Sequence, residues 1–206
     1  MFTGLITHFG EIQAYTPKPS GQGVRLTVSG HFKEFILGES IACNGVCLTL
    51  ANITSDGKMQ FDLSTETLSK THFSPDLIGQ VCHLERALRM GDSVGGHWVS
   101  GHVDGLATLT AIEQLDTYQN LRFKYHPHQA IEPAWHPKGA IALDGVSLTL
   151  NMIQGLCFEV MLVPHTLSHT HFHKATTGQI VHVEFDLMNK AIAYQLKTQA
   201  LSSTGA

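Results

Sequence analysis

Apolar residues in this chain come mostly in short alternating runs. Val24-Arg25-Leu26-Thr27-Val28 and Val181-His182-Val183-Glu184-Phe185 place an apolar side chain at every second position, the period of a strand with one buried face. Turn-forming sequences break the runs: Pro17-Lys18-Pro19-Ser20-Gly21, Asn44-Gly45, Ser55-Asp56-Gly57 and Asp144-Gly145. Asn-Gly and Asp-Gly accept positive φ and favour tight reversals between strands. Several short, closely spaced strands predict small β-barrels, which leave no free strand edge. The segment from Leu68 to Phe73, like that from Leu167 to Phe172, fits a short helix or an irregular turn equally well. Near the C-terminus the period changes. Met188, Ile192, Leu196 and Ala200 recur every fourth residue, with Ala193 and Leu201 beside them. That is one apolar face of a helix, with Asp186 or Asn189 available to cap its start. Such a face packs on its own barrel or on another copy of the chain.

The pattern is doubled. Ile41-Ala42-Cys43-Asn44-Gly45-Val46-Cys47-Leu48-Thr49-Leu50 returns one hundred residues later as Ile141-Ala142-Leu143-Asp144-Gly145-Val146-Ser147-Leu148-Thr149-Leu150. Thr65-Glu66-Thr67-Leu68-Ser69-Lys70-Thr71-His72-Phe73 returns as Pro164-His165-Thr166-Leu167-Ser168-His169-Thr170-His171-Phe172, and Gly79-Gln80-Val81-Cys82-His83-Leu84-Glu85 as Gly178-Gln179-Ile180-Val181-His182-Val183-Glu184. A repeat of this length is a whole domain, well beyond the roughly 20–50 residues of a solenoid unit. The chain is therefore expected to be all-β: two tandem homologous small Greek-key-like β-barrels, residues 1–89 and 90–187, followed by a C-terminal α-helix, residues 188–206. The glycine-rich stretch from Leu88 to Gly96 reads as the linker. At the start of the second copy, pairing Gly4 with Gly105 sets Phe2, an aromatic able to stack on a flat ring, against the imidazole of His102.

Composition narrows the function. A net charge of −4 over 206 residues, with Lys and Arg scattered, gives no basic footprint for nucleic acid. No apolar run reaches the roughly 18–20 residues of a membrane span, and the N-terminus lacks a basic leader. Four cysteines without a CxxC pair do not make a disulfide framework, which points to a reducing cytoplasm.

Met1-Phe2-Thr3-Gly4, Asn44-Gly45-Val46-Cys47-Leu48-Thr49, Gly95-Gly96-His97 with Ser100-Gly101-His102, and Asp144-Gly145-Val146-Ser147-Leu148-Thr149 together resemble the riboflavin synthase family, over nearly the whole chain. The resemblance implies a transferase that moves a four-carbon unit between two molecules of 6,7-dimethyl-8-ribityllumazine, giving riboflavin and a ribitylamino-pyrimidinedione. It implies no metal and no organic cofactor, a homotrimer with active sites between subunits, and lumazine synthase as a further partner. The doubling suits that chemistry on its own terms. Two identical substrates need two similar pockets, and their different roles need a few unlike residues: Cys47 against Ser147, Asn44 against Asp144.

The resemblance assigns chemistry to Cys47, His102, Ser147 and Asp144. Cys47 is a buried core residue or a ligand to the lumazine ring, where a thiolate adds to an electrophilic carbon. His102 suits removal of a proton from the 7-methyl group, with His97 the competing candidate. Ser147 and Thr149 hydrogen-bond the heterocycle or only their own backbone; Asp144 is a turn former before anything else. Substrate contacts carried over in the first copy are Phe2, Gly4, Leu5, Ile6, Ser40, Cys47, Leu48, Thr49, Asp62, Leu63, Ser64, Thr65, Glu66 and Thr67. In the second they are Gly101, His102, Val103, Lys138, Ser147, Leu148, Thr149, Met161, Leu162, Val163, Pro164, His165, Thr166 and Asp186. The family leads one to expect a carboxylate where His165 stands, and Asp186 doubles as a helix cap.

The run His165, His169, His171, His173 tempts a zinc reading, because alternation would set the last three on one strand face. The matching first-copy residues Glu66, Lys70, His72 and Ser74 do not resemble a metal site, so no metal is expected. Two rival readings are a non-catalytic lumazine- or flavin-binding protein on the same scaffold, and a flavin-dependent reductase barrel. The second would need a nucleotide-binding βαβ unit, which the sequence does not offer.

Overall fold

The computed structural model describes residues 1–19, 21–127 and 133–203, with side chains to residue 199. It contains two closed six-stranded antiparallel barrels. Barrel one comprises β1 (His8–Pro17), β2 (Val24–Gly30), β3 (Ser40–Cys43), β4 (Val46–Ile53), β5 (Met59–Leu63) and β6 (Val81–Arg86). Barrel two comprises β7 (Gly105–Leu115), β8 (Tyr118–Pro127), β9 (Ala140–Leu143), β10 (Val146–Gln154), β11 (Cys157–Leu162) and β12 (Ile180–Phe185). The order around barrel one is β1-β2-β5-β4-β3-β6, and barrel two repeats it strand for strand. Two connections per barrel thus skip neighbours, as in a Greek key. Bulges recur at equivalent places, between Leu50 and Asn52 in β4 and between Leu150 and Met152 in β10. They bend the strands so that six can close.

Alternation along the strands fills each barrel. Leu26, Val28, Ile41, Leu50, Met59, Phe61 and Leu84 point into the first; Leu109, Leu121, Phe123, Ile141, Leu150, Phe158 and Val183 into the second. The Asn44-Gly45 and Asp144-Gly145 reversals hold left-handed backbone, φ 44° at both Asn44 and Asp144. The two turns meet at an approximate two-fold axis between the barrels. A Cβ on Gly45 would lie 2.5 Å from the Gly145 nitrogen, so this approach requires glycine.

Between β5 and β6 lies α1 (Thr65–Lys70), and between β11 and β12 lies α2 (Pro164–Ser168), each followed by a 3-10 turn, Pro75–Leu77 and His171–Lys174. The ambiguous segments are thus short helices leading into turns. His169, His171 and His173 therefore do not share a strand face, the arrangement that a zinc reading would need. His169 Nδ1 lies 2.8 Å from the His165 carbonyl at the end of α2, His173 bonds Thr170, and His171 turns inward.

α3 (Leu187–Ser203) follows β12 directly. Asp186 caps it, its Oδ1 accepting from the Met188 N–H at 2.9 Å. Ile192 and Leu196 are 54% and 61% exposed, so the apolar face is not spent on its own barrel. Among the described residues no helix is long and apolar enough to cross a membrane.

Candidate active site on two outward faces

Cys47 and Ser147 point out of their barrels. In β4, Val46, Leu48 and Leu50 are buried, while Cys47 is half-buried and Thr49 exposed; β10 repeats this with Ser147 and Thr149. The register builds a row of side chains across each outer face. Ser40 pairs with Thr49, Leu50 with Phe61, and Asp62 with Arg25. Ser40, Thr49, Asp62 and Arg25 therefore lie side by side. On barrel two the row is Ala140, Thr149, Met161 and Asn120. At the end of the first row Ser64 caps α1, accepting from the Thr67 N–H at 3.1 Å, with its hydroxyl 3.0 Å from that of Thr67. Val163 at the same place in barrel two offers no side-chain cap.

Each face is flanked by the lead-in of the opposite barrel. The Cys47 N–H donates to the Gly101 carbonyl at 2.9 Å, and the Ser147 N–H to the Gly4 carbonyl at 2.8 Å. A Cβ on Gly101 would come within 2.5 Å of Cys47 Cβ, and one on Gly4 within 2.6 Å of Ser147 Cβ. Val103 packs on the core of barrel one, and Ile6 on that of barrel two. A buried glutamate holds each lead-in. Glu85 accepts from the Thr3 and Gly4 N–H groups, and Glu184 from those of Ser100 and Gly101. Burial raises both carboxyls, opposed by these hydrogen bonds.

The crossing corrects the alignment of the two copies at their starts. Gly4 corresponds to Gly101, 97 residues on, not to Gly105. Phe2 then matches Val99, with which it forms a bridge. His102 matches Leu5. Phe2 is fully buried with Val99, Ala42 and Ala142 in the seam between the barrels, so its ring does not reach the outer faces. Leu48, Leu63, Leu148 and Leu162 likewise fill the barrel cores and offer the outer surface only backbone. Thr65, Glu66, Pro164, Val163 and His165 are exposed at the helix starts, Thr166 half-buried beside them. His165 stacks on His169, ring centroids 4.1 Å apart.

Barrel two has a further side chain at its face. His97 Nδ1 lies 2.7 Å from Ser147 Oγ, its Nε2 is buried without a partner, and burial lowers its pKa against the opposing pull of Asp186. Lys138 reaches Asn151, Nζ to Oδ1 2.9 Å, from a backbone at φ 67°. Gly38 occupies the equivalent position at φ 86°, and both N–H groups donate to the matching leucine carbonyls, Leu50 and Leu150.

Asp144 lies elsewhere, 2% exposed at the pseudo-two-fold axis. Its Oδ1 accepts from the His182 N–H at 2.8 Å, as Asn44 Oδ1 does from the His83 N–H. His171 Nε2 is 3.1 Å from Asp144 Oδ2. Burial would raise this carboxyl, but hydrogen bonds from His171 and His182 outweigh it and hold it well below the usual carboxylate range. Around it His83 stacks on His171, ring centroids 3.9 Å apart, and His182 meets His72 at a tilt, centroids 4.2 Å apart. The His171 and His72 N–H groups donate to His83 Nε2 and His182 Nε2. Each Nδ1 must then carry the proton and donate across the interface, His83 to the Asp144 carbonyl and His182 to that of Asn44. Among the described residues no group of His, Cys, Asp or Glu is arranged to hold a metal ion.

A doubled six-stranded barrel with paired outward rows defines the class, and comparison with known proteins agrees. The lumazine binding domain family matches twice, at residues 3–87 and 100–186. A riboflavin synthase of Brucella abortus is 35% identical over 94% of this chain and 96% of its own length. That of Bacillus subtilis is 36% identical over 92% and 87%. That of Chlamydia pneumoniae is 34% identical over 100% and 99%. Crystal structures of LumP complexed with riboflavin and with 6,7-dimethyl-8-(1′-D-ribityl)lumazine share the fold, with TM-scores of 0.76 and 0.73 at 24% and 21% identity, covering 90% of this chain and 99% of theirs. The chain belongs to the riboflavin synthase family.

Proposed function

We propose that the protein converts two molecules of 6,7-dimethyl-8-ribityllumazine into riboflavin and 5-amino-6-ribitylamino-pyrimidinedione, as the last step of riboflavin biosynthesis. The observation that carries this is the pair of outward faces, alike in backbone and unlike at the reactive positions. Two lumazines contain every atom of the two products, so the reaction balances without an added oxidant or reductant. Each face takes one lumazine. Thr49 and Thr149 hydrogen-bond the heterocycle, and the Ser64–Thr67 corner with Asp62 meets the hydroxyls of the ribityl chain.

Chemistry divides between the faces. On barrel one, Cys47 lies under the ring, placed to add to its electrophilic carbon, and His102, carried by the lead-in that grips Cys47, takes the 7-methyl proton. On barrel two, His97 accepts the Ser147 hydroxyl proton and so sharpens that oxygen, or a water it holds, as a nucleophile. Asp144 acts by position: it sets the angle between the barrels and touches no substrate.

Phe2, Val99, Ala42 and Ala142 fill the seam between the barrels, which supports a site in which each outward face is completed from outside the chain. A homotrimer completes it by setting the Cys47 face of one chain against the Ser147 face of the next. The uncovered side chains of α3, Ile192, Tyr194 and Leu196 among them, supply its contacts. The protein is assigned to the cytoplasm, where the four thiols stay reduced, with lumazine synthase, the source of substrate, as a partner. Incubation of the purified protein with the lumazine in the presence of a chelator is expected to generate riboflavin absorbance. Tight lumazine retention with strong fluorescence and no riboflavin would refute the enzyme and leave a carrier.

A further inference from the structure

The outward row on barrel one ends in charge, and the row on barrel two does not. Arg25 grips Asp62 through two bonds, Nε to Oδ1 at 2.8 Å and Nη2 to Oδ2 at 3.0 Å. Lys18 Nζ meets the same Oδ2 at 3.0 Å. Asp62 is thereby held ionised, its pKa drawn down to about 2 chiefly by the Arg25 hydrogen bond. Two cations share one carboxylate, which leaves net positive charge. That charge borders an open cavity of about 340 Å³ lined by Thr16, Pro17, Lys18, Pro19 and Arg25. In barrel two the places of Asp62 and Arg25 are taken by Met161 and Asn120.

Distance along the row suggests what fills the cavity. Thr49 and Arg25 are two strand spacings apart, about 10 Å, a span that a ribityl chain and one further group can cover. We propose that Lys18 and Arg25 form an anion subsite for a phosphate monoester at the end of a ribityl chain whose ring rests at Cys47 and Thr49, as in riboflavin 5′-phosphate. The inference rests on the reading that barrel one takes lumazine-class ligands on this face. Asp62 repels the phosphate, and the balance turns favourable because two cations oppose its single negative charge. Arg25 keeps one edge of its fork on Asp62, and Lys18 contributes a mobile point charge. Barrel two, with Met161 and Asn120, has no such preference. A flavin phosphorylated after release would then return to one barrel of each chain and compete there with substrate.

The test is a pair of equilibrium titrations, riboflavin and riboflavin 5′-phosphate, on the intact protein. At low salt the phosphate is expected to bind about five- to tenfold tighter, and the ratio to fall towards one at about 0.5 M salt as screening removes the charge. Lys18→Gln and Arg25→Gln should abolish the ratio while riboflavin itself still binds. Equal or weaker binding of the phosphate to the unaltered protein overturns the proposal, whether or not the variants fold. So does a preference that survives Lys18→Gln. If neither flavin binds, the functional reading of this face falls as well; riboflavin binding without a phosphate preference sinks the subsite alone.

Discussion

Mild acid should loosen the contact between the barrels through its buried histidines. His83 Nε2 accepts from the His171 backbone N–H at 2.8 Å, so a proton added there would aim one donor at another. Burial, followed by the charge of His171, lowers the His83 pKa from 6.5 to about 3; burial, followed by His182, lowers that of His72 from 6.5 to about 4. A group whose pKa is lower folded than unfolded binds more protons in the unfolded state, so stability is intact above 6.5 and falls as pH drops from there towards 3–4. At about pH 5.5 each histidine costs about 1.4 kcal/mol relative to pH 7.5, and the pair about 3 kcal/mol, against a typical total of 5–15. His8 and His97, also lowered by burial, act in the same sense. Glu85 and Glu184, raised by burial, oppose the trend only near the carboxylate range. Urea unfolding followed by tryptophan fluorescence from pH 7.5 to about 5.5 measures the loss, and His83→Gln should reduce its slope by nearly half. A stability that stays level over this interval would refute both the tautomers and the burial of these histidines.

Other consequences concern the faces and the lead-ins. Cys47→Ser and His102→Gln should each reduce turnover far more than thermal stability, since Cys47 is only half-buried and His102 is exposed; near-normal rates in both would displace the site. Gly101→Ala forces a Cβ to 2.5 Å from Cys47 Cβ at φ 82°, and should cost about 2–4 kcal/mol in urea unfolding together with most of the activity. Lys138→Gly removes a lysine from left-handed backbone where the first copy already has Gly38. It is expected to stabilise by about 0.5–1 kcal/mol while slowing turnover, which thermal melts and initial rates would show together.

The fold is legible in the sequence because it is written twice. Alternating strands, the Asn-Gly and Asp-Gly turns and the closing helix are all local patterns, and the structure follows them. What the sequence hides is crossing. Nothing local says that Gly4 belongs on barrel two and Gly101 on barrel one, so sequence alone pairs the two starts through Gly105 and sets Phe2 against His102. The glutamates that anchor the lead-ins are visible as a repeat, Glu85 and Glu184, yet two carboxylates in matching strands do not reveal that they accept from backbone of a distant segment. His97 ranks behind His102 in the sequence for the same reason: its partner, Ser147, is fifty residues away. Asp144 and the histidines draw attention as chemistry, and burial at the pseudo-two-fold axis makes them a hinge of hydrogen bonds between barrels.

One reaction that needs both faces, supplied by different chains, is tested most directly by mixing two inactive variants, Cys47→Ser and Ser147→Ala, under conditions that let subunits exchange. Sites that pair an intact Cys47 face from one chain with an intact Ser147 face from its neighbour should form, and riboflavin production should rise well above that of either variant alone. If mixed oligomers form and the rate stays at the level of the separate variants, the two faces do not meet between chains, and the shared site is contradicted.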